Sequence, residues 1–128
     1  MARARIADDI GEGAVRAATA AASASTGKAE PATRDTLATA VRYTLQLLAE
    51  RAEGNTVEVR VPPFGAVQCI PGPRHTRGTP PNVVEMDAET WLALAAGRLA
   101  WVDALESGSV HASGQRADLS GYLPVRPA

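Results

Sequence analysis

The chain has 128 residues, a length that favours one domain with a sizeable core. Its 13 basic and 14 acidic residues leave a net charge of −1, which argues against a surface for nucleic acid or for an anionic membrane. Cys69 is the only cysteine, so a disulfide framework and a multi-cysteine metal site are excluded. We expect no bound metal and no cofactor.

The first residues do not have the pattern of a targeting segment. Asp8, Asp9 and Glu12 interrupt any apolar run after the basic start, as a secretory signal would not. No stretch of 18 apolar residues occurs, so we expect no integral membrane segment. A cytoplasmic protein in a reducing compartment is the expected setting.

Residues 1–32 form an alanine-rich arm. Alanine favours helix, and we predict a helix over about residues 3–22. Because this helix has few large apolar side chains to bury, we expect it to dock loosely as an accessory element. Residues 23–30 have the composition of a linker.

The apolar periodicity changes from helix to strand near residue 55. Leu37, Val41 and Leu48 recur at helical spacing and predict a helix over residues 33–52. Residues 56–61 then alternate strictly between apolar and polar, which predicts a half-buried strand. Residues 64–70 are predicted as a second strand, antiparallel to the first.

The second half of the chain predicts short elements around a loop. Prolines and glycines predict a loop over residues 71–81, and a third strand follows over residues 82–86. Asp87 is a helix cap for a segment that ends at Gly97.

Three shorter elements complete the prediction: a helical piece over residues 99–106, a strand over 109–113 and a last helical turn or two within 116–123. This order of elements predicts an α+β domain: one small, mostly antiparallel sheet with helices packed on one face.

Several local features of this half resemble the sterol carrier protein superfamily. They are an acid-capped helix ending in glycine over residues 87–99, the small-large pair Ala104-Leu105, a Ser107-Gly108 turn and a strand closed by Gly114. Residues 57–69 and 72–85 look like a bacterial branch of that superfamily found in actinobacteria. With this branch included, the resemblance covers about residues 33–125.

The resemblance implies a five-stranded sheet, helices on one face and a hydrophobic cavity between them that holds a lipid tail. It also implies a division into an N-terminal arm (1–32), a sterol-carrier-like domain (33–125) and a tail (126–128). The short C-terminal segment and the loop before residue 81 depart from the classical carriers. For a bacterial protein, fatty acyl or isoprenoid lipids fit this resemblance better than a sterol.

The densest apolar cluster is the candidate ligand site. Its residues form two predicted helical stripes, of which one would pack on the sheet and the other would line the cavity. The alternative is that both stripes are core or a patch between two copies. The C-terminal segment covers the lipid cavity in classical carriers, so the resemblance adds two of its residues. The candidate ligand-binding residues are Trp91, Leu92, Leu94, Leu99, Trp101, Val102, Leu105, Leu119 and Tyr122.

Arg74, His75 and Arg77 form a polar cluster in the loop that precedes the third strand. Two arginines and a histidine suit a carboxylate or phosphate headgroup, or a partner surface. The alternative is a solvated loop in which only the prolines and glycines matter.

Cys69 and His75 offer a formal thiol–imidazole pair, but Cys69 lies in an apolar strand, where a free cysteine is usually a small core residue. His111 alternates with Val110 and Ala112 and should face outward. We therefore assign no catalytic residue and expect a non-enzymatic carrier of an apolar lipid or fatty acyl chain. The alternative function is a protein–protein interaction module on a degenerate sterol-carrier fold.

Overall fold

The computed structural model describes residues 4–23, 33–73 and 81–125. In chain order the elements are helix α1 (Asp8–Ser23), helix α2 (Arg34–Arg51), strands β1 (Val57–Val61), β2 (Gly65–Cys69) and β3 (Asn82–Met86), helix α3 (Ala88–Ala96), helix α4 (Trp101–Glu106), strand β4 (Val110–Ser113) and a 3₁₀ turn (Ser120–Tyr122). None of the helices within these ranges has both the length and the apolar character that a membrane crossing requires.

Capping residues begin α2 and α3, and a glycine ends α3. The Thr33 hydroxyl accepts a hydrogen bond from the Thr36 N–H at 3.1 Å and starts α2. The Asp87 carboxylate accepts from the Thr90 N–H at 2.8 Å and starts α3. Gly97 ends α3 with φ of +80°, a left-handed conformation that suits glycine.

The sheet has one buried face and one polar face. Val57, Val59 and Val61 of β1 are fully buried, and Val84 and Met86 of β3 lie on the same buried side. The polar side chains that alternate with them lie half-buried or exposed on the other face: Glu58, Arg60, Gln68, Glu85 and His111. The helices therefore cover one face of the sheet, as the alternation predicts.

The sheet is mixed: the prediction of a mostly antiparallel sheet was wrong for the pairing of β1 with β3, which is parallel. The strand order is β2-β1-β3-β4, and β1 pairs with β3 in parallel while the other two pairings are antiparallel. The reason lies in the connection between β2 and β3. Its ends lie at the amino end of β1, where the Thr56 hydroxyl donates to the Pro73 carbonyl and the Asn82 amide donates to the Thr56 carbonyl. A strand that starts there must run in the same direction as β1.

The five-stranded sheet was also wrong: the described residues contain four strands. After β4 the chain leaves the sheet and packs against the helical layer. Leu119 is fully buried there, and the Val125 N–H donates to the Ala95 carbonyl at 3.0 Å. This segment contains one 3₁₀ turn and no longer helix.

Helix α1 is docked tightly, in contrast to the loose docking that its small side chains suggested. It runs antiparallel to α2, and Val15 and Ala18 are buried. Gly11 lies against the Tyr43 ring so closely that a Cβ would overlap the ring atoms. Small side chains here allow a close approach of two helices, which gives extensive packing without large apolar groups.

Polar contacts also hold α1 against α2. The Arg5 guanidinium donates to both Glu50 carboxylate oxygens at 2.6 and 3.0 Å, and the Tyr43 hydroxyl donates to the Asp8 carboxylate at 2.9 Å. The hydrogen bonds from Tyr43 and Arg5 lower the pKa of Asp8, and the bond from Arg5 lowers the pKa of Glu50. Burial raises the pKa of Tyr43 to about 12, with the Asp8 hydrogen bond adding to the shift.

Candidate functional site

A cleft of about 660 Å³ opens between α1, the first turn of α2, one face of α3 and the turn that follows β1. This volume lies within the range of small-molecule sites in proteins. Most of the wall is apolar. The lining residues are Ala18, Ala21, Leu37, Pro62, Phe64, Asp87, Ala88, Glu89, Leu92, Ala93 and Arg98.

The α3 wall of the cleft is fixed to α2 by a buried hydrogen bond. Trp91 lies on the opposite face of α3 from the cleft and is fully buried. Its indole N–H donates to the Thr44 hydroxyl at 2.7 Å, and that hydroxyl in turn donates to the Ala40 carbonyl at 2.8 Å. A satisfied polar contact in the core fixes the rotation of α3, and so directs Leu92 into the cleft.

The turn after β1 forms the end wall, and α2 holds it in place. The Arg42 side chain donates to the Phe64 carbonyl at 2.8 Å. The Arg34 guanidinium lies 5.5 Å from the centre of the Phe64 ring, within cation–π distance. These two contacts orient the aromatic ring that closes this end of the cleft.

Helix α1 supplies the wall opposite α3. Ala18 and Ala21 are three residues apart on one face of α1, so they lie one turn apart along the cleft. Larger side chains at these positions would occupy the space that the cleft leaves open. The contacts of α1 with α2 described above hold this wall in position.

The structure divides the predicted apolar stripes, because Gly97 breaks the helix between α3 and α4. Of the candidate ligand residues, Leu92 lines the cleft. Trp91, Leu94 and Leu119 lie in the core, and Leu99, Trp101 and Tyr122 are partly buried against it. Val102 and Leu105 lie on α4 with 55% and 39% of their surface exposed.

Leu105 lines a second groove beside β4, whose remaining wall includes Glu85, His111 and Ser113. This groove is shallower and more polar than the cleft, and it lies by the polar face of the sheet. It therefore suits an apolar ligand less well. His111 and Glu85 face outward, as their positions in the alternation predicted.

Arg74, His75 and Arg77, the predicted headgroup residues, lie outside the described residues. The residues that flank this loop, Pro73 and Pro81, lie by the amino end of β1. The cleft lies by the carboxyl end of β1, one strand length away, about 16 Å for five residues.

Cys69 is fully buried in the core, as its position in an apolar strand predicted. Burial raises the pKa of its thiol to about 11, so the thiol stays protonated at neutral pH. A protonated, enclosed thiol is unsuited to act as a nucleophile.

The sequence analysis did not identify Ala18, Ala21, Leu37, Phe64 and Arg98 as site residues. One signal was available: Ala18 and Ala21 belong to a helix whose apolar face is made of small residues, and such a face leaves space beside it. Phe64 and Arg98 carried no local signal, since their role depends on elements far along the chain.

These features define a class of protein: a small α+β domain in which helices cover one face of a sheet and enclose an apolar cleft. The family described as bacterial orthologues of the sterol carrier protein matches residues 33–125, and the chain belongs to this family. This confirms the resemblance inferred from the sequence. Helix α1 lies outside the matched residues although it forms one wall of the cleft. The comparison with curated proteins gave no match.

Proposed function

We propose that this protein binds and carries an apolar lipid or fatty acyl chain in the cleft between α1 and α3. The observation that carries the proposal is the cleft itself, an apolar space of about 660 Å³. Hydrogen bonds from Arg42 to the Phe64 carbonyl and from Trp91 to the Thr44 hydroxyl fix two of its walls. Membership of the sterol carrier family supports the same function.

The binding energy would come from removing the chain from water. Each methylene transferred from water to an apolar wall contributes about 0.8 kcal/mol. Leu37, Phe64 and Leu92 provide the larger apolar contacts, while Ala18 and Ala21 leave room for the chain. Part of this energy is offset by the conformational freedom that a flexible chain loses on binding.

The proposed function is carriage without catalysis. The thiol of Cys69 is enclosed and protonated, and the cleft contains no serine, cysteine or histidine on its walls within the described residues. A single cysteine that forms no disulfide within the chain suits a reducing compartment, and we place the proposed carrier in the cytoplasm.

The test is titration with a fluorescent long-chain fatty acid against a variant that fills the cleft. Ala21→Leu puts three extra carbons into the space, and we expect the affinity to fall about tenfold. Ala20→Leu is the matched control, because Ala20 is exposed on the same helix and outside the cleft. Absence of saturable binding in the wild type, or equal affinity in both variants, would contradict the proposal.

The alternative function is an interaction module, and one observation favours it. Val102 and Leu105 expose apolar surface on α4, away from the cleft. A double substitution to serine would weaken binding of a protein partner and leave fatty acid binding unchanged. The cleft variant and the α4 variant therefore distinguish lipid carriage from binding of a protein partner.

A further inference from the structure

The cleft has charged residues of opposite sign at its two ends. It follows one face of α3, where the pairs Ala88-Glu89 and Leu92-Ala93 lie one helical turn apart. Asp87 and Glu89 lie at the amino end of this helix. Arg98 follows its carboxyl end, one helix length away, about 13 Å for nine residues.

Arg98 is available for a ligand. Its guanidinium makes no hydrogen bond and no ion pair with any part of the chain that the structure describes. Other arginines near the helical layer are engaged: Arg42 with the Phe64 carbonyl, Arg5 with Glu50 and Arg51 with the Pro124 carbonyl. Among the described residues that line the cleft, Arg98 is also the one basic residue.

The opposite end of the cleft carries two carboxylates, and the cation at that end, Arg34, is engaged with the Phe64 ring. The Asp87 carboxylate already caps the first turn of α3 by accepting from the Thr90 N–H, and Glu89 adds a second negative charge there. The positive end of the helix dipole is therefore offset by two carboxylates. A bound anion would be favoured beside Arg98 and disfavoured beside Asp87.

We infer that the cleft binds a single-chain fatty acid in one orientation, with the carboxylate on Arg98 and the tail directed along Leu92 toward Phe64. This inference rests on the proposed function and adds the class of lipid, its direction and the residue that holds its headgroup. The guanidinium presents a fork of N–H donors that fits a carboxylate in two parallel hydrogen bonds. The apolar tail then lies against the α1 wall and ends near the Phe64 ring.

The experiment compares palmitate with 1-hexadecanol, which has the same chain length and no charge, at pH 8 by displacement of the neutral dye Nile red. In Arg98→Gln we expect affinity for palmitate to fall about tenfold, because charge-assisted hydrogen bonds are lost. Affinity for 1-hexadecanol should not change. Arg116→Gln is the matched control, since Arg116 is exposed and outside the cleft. Arg98→Lys should recover part of the loss.

Each other outcome overturns the inference in a distinct way. If Arg98→Gln weakens both ligands equally, Arg98 supports the shape of the cleft and does not hold the headgroup. If the wild type binds both ligands equally and Arg98→Gln changes neither affinity, the orientation is wrong while the carrier function stands. If the wild type binds neither ligand, both the orientation and the proposed function fail.

Discussion

Thr44 shows how one buried hydroxyl can determine where a helix places its other face. It accepts the indole proton of Trp91 and donates to the Ala40 carbonyl, so every polar atom of this contact is satisfied. No described buried side-chain nitrogen or oxygen lacks a hydrogen-bond partner. The contact joins α2 to α3 and so determines which side of α3 faces the cleft.

We expect Thr44→Val to destabilise the protein by about 1–3 kcal/mol, because it leaves the Trp91 N–H buried without an acceptor. Valine has nearly the same shape as threonine, so packing changes little. Thr39→Val on the same helix is the control, since Thr39 is only half-buried and its hydroxyl makes no hydrogen bond with any residue that the structure describes. Chemical denaturation measures both; an equal loss in the two variants would contradict the role of the hydroxyl.

At the scale of elements, the packing of α1 on α2 positions one wall of the cleft. The two helices approach closely at Gly11, where the Tyr43 ring occupies the space of a side chain. The Arg5–Glu50 ion pair adds to this docking, but it is exposed and contributes little. The close approach at Gly11 is therefore the main determinant of where Ala18 and Ala21 lie.

Two glycines in α1 allow a matched test. Gly13→Ala should stabilise the protein by about 0.5–1 kcal/mol, because alanine favours helix and its Cβ meets only the end of Arg16. Gly11→Ala makes the same chemical change, but its Cβ overlaps the Tyr43 ring. We expect it to destabilise by about 1–3 kcal/mol and to weaken lipid binding. Thermal unfolding and fatty acid titration would measure the two effects; stabilisation by both substitutions would contradict the close approach.

At the scale of the whole molecule, the accessibility of the buried Cys69 thiol reports whether the protein unfolds as one cooperative unit. Cys69 lies at the end of β2, an edge strand, yet its side chain is enclosed beneath the helices. With a pKa of about 11, about one thiol in a thousand is ionised at pH 8 even if it is reached. Modification therefore requires the protein to open.

We expect a thiol reagent to label native Cys69 slowly at pH 8 and the unfolded chain rapidly. If opening is global, Thr44→Val should increase the labelling rate by the same factor as it increases the unfolding equilibrium constant. An unchanged labelling rate in Thr44→Val would show that β2 opens locally. Cys69→Ala should retain lipid binding and destabilise by at most about 2 kcal/mol.

Local patterns in the sequence were sufficient for most of the elements. The alternation of Val57, Val59 and Val61 predicted β1 and its buried side, and Asp87 and Gly97 marked the two ends of α3. These predictions succeeded because capping and alternation depend on residues close together in the chain. The burial of Cys69 followed from its position in a second apolar strand.

The direction of β3, the site of the cleft and the docking of α1 depend on contacts between distant residues. Parallel pairing of β3 with β1 follows from where the loop ends lie, and alternation is the same for either direction. The small residues of α1 predicted that this helix docks loosely. Gly11 and Ala18 nevertheless pack tightly, because Tyr43 and the start of α2 face them. The cleft exists where Ala21, Phe64 and Leu92 meet, and only the folded chain brings these three residues together.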